Sequence, residues 1–152
     1  MLKVGEVAPD FVLPDQNGES QVFYKMKGSK GAVLFFYPKD GTPGCTAQSC
    51  SFRDNYQELK NLGVEIIGIS ADSPDSHKQF ATQHSLPFAL LSDESGEVRK
   101  KYGVKKTLGI LPGRATFVVG LDGKIIFSFS SQLEIQKHVD EAVKVIKDYA
   151  QK

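Results

Sequence analysis

Two segments, 32–37 (Ala32-Val33-Leu34-Phe35-Phe36-Tyr37) and 64–69, are apolar almost end to end. A strand with one face in water alternates apolar and polar residues. A strand covered on both faces does not, so these runs require packing from above and below. The remaining candidate strands are 88–91, 115–119 and 124–129, the last two joined by the hairpin signal Gly120-Leu121-Asp122-Gly123. Helices are expected after Thr42, after Ser73-Pro74, after Asp93 and after Leu133. The last carries Ile135, Val139, Ala142, Val143, Ile146 and Tyr149 on one face. Strands alternating with helices, then a hairpin and a terminal helix, predict an α/β three-layer sandwich with a central mixed sheet. Phe11-Val12-Leu13 and Gln21-Val22-Phe23-Tyr24, around Asn17-Gly18, predict an additional N-terminal β-hairpin.

The first buried strand runs straight into Pro38-Lys39-Asp40-Gly41-Thr42-Pro43-Gly44-Cys45-Thr46-Ala47-Gln48-Ser49-Cys50, which holds the only two cysteines of the chain. Thr42 offers a hydroxyl suited to a helix N-cap, and Pro43 suits the first helical position. Cys45 then falls in the first turn, among N–H groups without intrahelical partners and at the positive end of the helix dipole. Both favour an anion, so Cys45 reads as a thiolate site. Residues five apart on a regular helix have Cα atoms on the order of 8–9 Å apart. A disulfide needs less than about 7 Å. Cys45 and Cys50 can therefore pair only if the first turns of that helix unwind.

At 152 residues, the chain is expected to form one domain, 1–152, with a core that needs neither disulfides nor metal. Nineteen basic and 18 acidic residues give a net charge of +1, and no basic face or tail argues for nucleic acid. No apolar stretch approaches the roughly 20 residues needed to cross a bilayer. Residues 1–6 lack the features of a secretion signal or transit peptide. Two cysteines fit a reducing compartment, so the cytoplasm is expected, with the chloroplast as the alternative if this is a processed chain. The pair makes a poor zinc site, because structural zinc takes four ligands in closely spaced pairs, and His77, His84 and His138 form no second pair. The three histidines, among charged residues, read as solvated. Gln48, one turn after Cys45, is assigned no role.

Pro38-x-x-x-Thr42-x-x-Cys45 resembles the active-site motif of the peroxiredoxins, enzymes of thioredoxin-like fold that reduce hydroperoxides. The longer string from Phe36 to Thr46, with Cys50 five residues on and Phe52-Arg53-Asp54 following, is similar to the peroxiredoxin Q (bacterioferritin comigratory protein) subfamily. So are Ala8-Pro9-Asp10-Phe11, Gly68-Ile69-Ser70, Leu86-Pro87-Phe88, Leu90-Leu91-Ser92-Asp93 and Pro112-Gly113-Arg114-x-Thr116-Phe117. The resemblance implies that Cys45 is the peroxidatic cysteine and Cys50 the resolving one, which form an intramolecular disulfide. It implies that Thr42 orients the peroxide, Pro38 shields the sulfur, and Arg114 holds sulfur and peroxide oxygens. It further implies a monomer that needs no cofactor and is recycled by thioredoxin or a glutaredoxin-like donor. A general dithiol oxidoreductase normally uses Cys-x-x-Cys, which the longer spacing here disfavours. A redox sensor that unwinds around the two cysteines is the alternative from a different class.

Overall fold

The computed structural model describes residues 1–105 and 113–150. Among these described residues, twelve elements follow one another: β1 (Val12–Pro14), β2 (Ser20–Val22), α1 (Phe23–Met26), β3 (Gly31–Phe36), α2 (Pro43–Asn61), β4 (Val64–Ser70), α3 (Pro74–Gln83), β5 (Ala89–Ser92), α4 (Glu97–Lys101), β6 (Ala115–Gly120), β7 (Ile125–Ser130) and α5 (Ile135–Ala150). β3 pairs antiparallel with β6, β6 antiparallel with β7, and β4 parallel with β5. β3 and β4 lie side by side, and the Tyr37 N–H donates to the Ile69 carbonyl at 3.1 Å. The result is the mixed sheet that the sequence predicted, with five strands in the order β5-β4-β3-β6-β7.

All six residues of β3 are buried, and their alternation explains why. Val33, Phe35 and Tyr37 join one apolar cluster with Phe52 and Leu59 of α2, Phe80 of α3, and Val139, Ala142 and Ile146 of α5. Ala32, Leu34 and Phe36 point the other way, to Phe11, Phe23, Val98 of α4 and Tyr102. On the first face, the Phe35 and Phe52 rings stack at 4.7 Å between centroids, which fixes α2 across the strand. Burial of side chains this size contributes about 1.5–3 kcal/mol each. The second layer is thin: a five-residue helix, one turn of α1 and the N-terminal segment stand in for long helices.

The N-terminal hairpin forms with Val12 opposite Val22, and its turn is held by Asp15 Oδ1, which accepts from the Asn17 and Glu19 N–H groups. Its second strand is shorter than the sequence suggests. Phe23 and Tyr24 leave it for α1, because Phe23 is drawn fully into the core, stacked on Phe11 at 5.0 Å. Gln16 covers the open edge of β5, its amide donating to the Phe88 carbonyl and accepting from the Leu90 N–H. Asp93 does not start α4 directly. Its carboxylate instead reaches forward to the N–H groups of Val98 and Arg99, satisfying two orphan donors of the helix start.

The expectation of solvated histidines is overturned for two of the three. His77 and His138 are both fully buried, whereas His84 is half-buried. Charged neighbours in sequence lie on the opposite faces of α3 and α5, so local composition misled. His138 Nε2 lies 2.7 Å from the Ser131 carbonyl, to which it donates, so Nδ1 accepts from the Thr116 hydroxyl at 2.8 Å. Burial pushes the His138 pKa down to about 4, with Arg114 adding to the fall and the Ser131 carbonyl opposing it.

A histidine held neutral in the fold but free to charge when unfolded destabilises the fold as acid is added. Its contribution is complete above pH 6.5, the unfolded value, and is lost as pH falls towards 4. Urea unfolding at pH 7 and pH 5 should therefore differ by about 2 kcal/mol from this residue. In His138→Gln, which keeps an amide donor but does not titrate, that part of the pH slope disappears.

Candidate active site

Thr42 occupies the N-cap position of α2 with extended backbone angles, and Pro43 the first helical position, as the sequence required. Its hydroxyl does not cap the helix, however. It donates backwards to the Lys39 carbonyl at 3.0 Å, closing the loop that precedes the helix. The Thr42 carbonyl accepts the Thr46 N–H at 2.9 Å, so the helix begins there without a side-chain cap. The unpaired N–H groups of its first turn remain available beside Cys45.

Cys45 is completely buried, and both cysteines are free thiols. The sulfur's partner comes from 69 residues away: Arg114 Nη2 donates to Cys45 Sγ at 3.3 Å. The same guanidinium donates through Nη1 to Gln48 Oε1 at 2.5 Å. Arg114 is 4% exposed and Gln48 is 0% exposed, so the contact is shielded from solvent and salt. Among the described residues, Arg114 Nε and Gln48 Nε2 are buried without a protein partner. Arg114 and Gln48 thus each keep one unengaged N–H donor. A neighbouring positive charge and a helix start suit a negatively charged oxygen bound against Cys45.

Two glycines make the approach possible. A Cβ on Gly44 would stand 3.2 Å from Arg114 Nη2 and 3.4 Å from Ile135 Cδ1, so a side chain there would push the guanidinium aside. A Cβ on Gly113 would stand 2.0 Å from the Lys105 carbonyl oxygen, so the segment leading into Arg114 can hold only glycine. Behind Arg114, its carbonyl accepts from the Ser130 hydroxyl at 3.1 Å. Pro112, which belongs to the same motif, lies outside the described residues.

Of the other sequence candidates, Pro38 is half-buried at the start of the loop after β3. Cys50 is half-buried further along α2, and the helix is unbroken from Pro43 to Asn61. Cys45 and Arg114 are therefore brought together. Cys50 shares the helix with Cys45 but is held apart from it by helical geometry.

Gln48 was given no role from sequence, although its position three residues after Cys45 on the same helix face was a usable signal. A second missed group is Asp40, in the loop between β3 and α2. Its Oδ1 accepts from the Tyr37 hydroxyl at 2.6 Å, and its Oδ2 from the Ser76 hydroxyl at 2.9 Å and lies 2.7 Å from His77 Nδ1. The Asp40 N–H donates to Asp72 Oδ2 at 2.8 Å, and His77 Nε2 donates to the Leu91 carbonyl at 3.1 Å. Burial, then the Asp40 charge, pushes the Tyr37 phenol well above its ordinary range and keeps it a donor. Asp40, Asp72 and His77 offer metal-type ligand atoms within 4.8 Å of one another. The closest of these already bind each other, so the cluster works as a clamp on the loop that carries Thr42.

Residues 4–128 match the model of the AhpC/TSA family. The chain is 50% identical over 144 residues to a chloroplastic peroxiredoxin Q of Arabidopsis thaliana, a match covering 94% of this chain and 66% of that protein. It spans about two thirds of the length of several such plant relatives. Among solved structures, peroxidoxin BcpB of Mycobacterium tuberculosis superposes with a TM-score of 0.90 at 36% identity, covering 97% of this chain and 98% of that one. A bacterioferritin comigratory protein of Xanthomonas campestris, described for its alkyl peroxide reduction activity, superposes with a TM-score of 0.85 at 26% identity, covering 99% and 98%. No helix among the described residues is long and apolar enough to cross a membrane. The chain belongs to the AhpC/TSA family, as a thiol-dependent peroxidase of the peroxiredoxin Q type with a thioredoxin-like fold.

Proposed function

We propose that Cys45 is the peroxidatic cysteine and that Arg114, Thr42 and Pro38 form the pocket in which it meets a hydroperoxide. The observation that carries this reading is the Arg114 guanidinium 3.3 Å from a wholly buried Cys45 sulfur at a helix start. The thiolate attacks the terminal oxygen of ROOH, the O–O bond breaks, and sulfur keeps the hydroxyl as a sulfenic acid. The departing RO⁻ takes a proton from water. Negative charge grows on that oxygen in the transition state, where fixed N–H donors lower the barrier most. Arg114 offers a permanently charged fork for this purpose, Thr42 a hydroxyl to orient the substrate, and Pro38 a cover over the sulfur.

Cys50 then attacks the sulfenic sulfur, water leaves, and a Cys45–Cys50 disulfide forms. Because α2 is continuous across both residues, its first turns unwind for this step. Thioredoxin or a glutaredoxin-like thiol reduces the disulfide by exchange, and Cys45 returns to its starting state without a cofactor. The protein works as a monomer in one domain. A reducing compartment, cytoplasm or plastid, belongs to the same proposal; the plant relatives are named as chloroplastic, which suits the second.

Stopped-flow mixing of the reduced protein with hydrogen peroxide should consume both thiols and yield a product lighter by two hydrogens. Cys45→Ser should consume no peroxide. Cys50→Ser should give one turnover and a sulfenic acid that dimedone traps; thioredoxin-driven cycling at the wild-type rate in that variant would contradict the resolving role. Arg114→Ala should slow the first step by about 100-fold, the scale of losing one donor at a developing oxyanion.

A further inference from the structure

Arg99 belongs to none of the active-site motifs, yet its guanidinium reaches across the end of the sheet from which they project. Nη1 donates to the Gly113 carbonyl at 2.6 Å and Nη2 to the Tyr37 carbonyl at 3.1 Å. Those two residues immediately precede Arg114 and Pro38. The β3–β6 ladder stops with Phe36 opposite Ala115. Continued one step, its register would set Tyr37 against Arg114, and a second step Pro38 against Gly113. Proline has no N–H to offer, and the Tyr37 N–H is already given to Ile69 on the neighbouring strand. The guanidinium bridges the two strands where backbone pairing can no longer do so.

We propose that Arg99 is a positioning residue for peroxide reduction, which fixes the Arg114 guanidinium against Cys45 by tying the Gly113 and Tyr37 carbonyls together. The proposal rests on the roles given above to Cys45 and Arg114. The tie is anchored at its other end as well. The Arg99 N–H donates to Asp93 Oδ2 at 2.9 Å, and the Asp93 N–H donates to the Ser70 carbonyl at 2.8 Å, at the end of β4. Beneath the guanidinium lies the Phe36 ring, 5.8 Å from centroid to Cζ. Gly113 is pressed against the Lys105 backbone from one side, so a pull on its carbonyl from the other leaves the start of β6 little freedom. Burial works against the Arg99 charge, while the negative charges of Asp93 and Cys45 act to keep it. Lysine cannot replace this: one ammonium lacks the planar fork that serves two carbonyls at once.

A tie that only stabilises α4 and a tie that positions Arg114 differ in what they do to peroxide as opposed to other electrophiles. Alkylation by iodoacetamide needs the Cys45 thiolate but no aligned donor on a leaving oxygen. The test uses the reduced 152-residue chain in the Cys50→Ser background. Rate constants for hydrogen peroxide and for iodoacetamide are measured on the alkaline plateau, where all molecules carry the thiolate. Arg99→Lys and Arg99→Met should lower the peroxide constant by about 10- to 100-fold, the scale of a misplacement near 1 Å. The iodoacetamide constant should stay within twofold. Equal falls in both constants, an unchanged peroxide constant, or failure of both variants to fold would each overturn the proposal. Absence of a fast peroxide reaction in the parent protein would instead remove the role of Cys45 itself, so the two failures are separable.

Discussion

Strand β3 is the constraint on which the rest of this molecule depends. Six consecutive buried residues allow no solvent on either side, so the chain must supply cover on both faces, and the cover fixes where everything else goes. Phe35 receives Phe52 and thereby sets α2 across the sheet. Phe36 and Leu34 gather Tyr102, Phe117 and the N-terminal segment beneath. Because β6 runs antiparallel to β3, the end of one lies beside the beginning of the other, with Phe36 opposite Ala115. Cys45 leaves from the first and Arg114 enters the second. The contact between them is a consequence of that pairing.

The proposed resolving role of Cys50 sets two opposed demands on the same helix. Intact, its first turn presents unpaired N–H groups to Cys45 and keeps Cys50 beyond bonding reach. Unwound, it lets the sulfurs meet but gives up the hydrogen bonds and part of the apolar packing of α2. The N-terminal end lacks one common brace, although Cys45, Gln48 and Ser49 of its first turns are buried. No side chain caps it, and Thr42 spends its hydroxyl on the preceding loop. Phe52 and Leu59, buried further along, hold the later turns in place. A capped start would be more stable by about 1 kcal/mol, and would resist the opening that the proposed disulfide needs.

Around the start of α2 the surroundings are tightly tied. Asp40 gathers Tyr37 from the end of β3 and Ser76 and His77 from α3. Arg99 joins the carbonyls ahead of Pro38 and Arg114. Buried charge-assisted hydrogen bonds of this kind are strong where water is excluded and costly to leave half made. They hold the frame around the start of α2. This arrangement is what a site needs if its donors must stay aligned for one step while its nucleophile moves for the next.

The strand runs, the closing hairpin, the amphipathic terminal helix and the Thr-Pro-Gly-Cys helix start were all legible in the chain, because each depends on local rules of periodicity, turn chemistry and helix ends. Family resemblance added Arg114 and the division of labour between Cys45 and Cys50. Tertiary structure alone decided which polar residues are buried and whom they meet. His77 and His138 look solvated among charged neighbours but face inward, because a helix separates faces that the sequence interleaves. Thr42 looks like a cap, but a nearby carbonyl competes for its hydroxyl. The roles of Gln48, Asp40 and Arg99 do not show in the sequence, since Arg114, Asp72 and Tyr37, which they respectively bind, lie 32 to 66 residues away. Local pattern determines the elements. Long-range pairing determines which side chains those elements bring within reach of one sulfur.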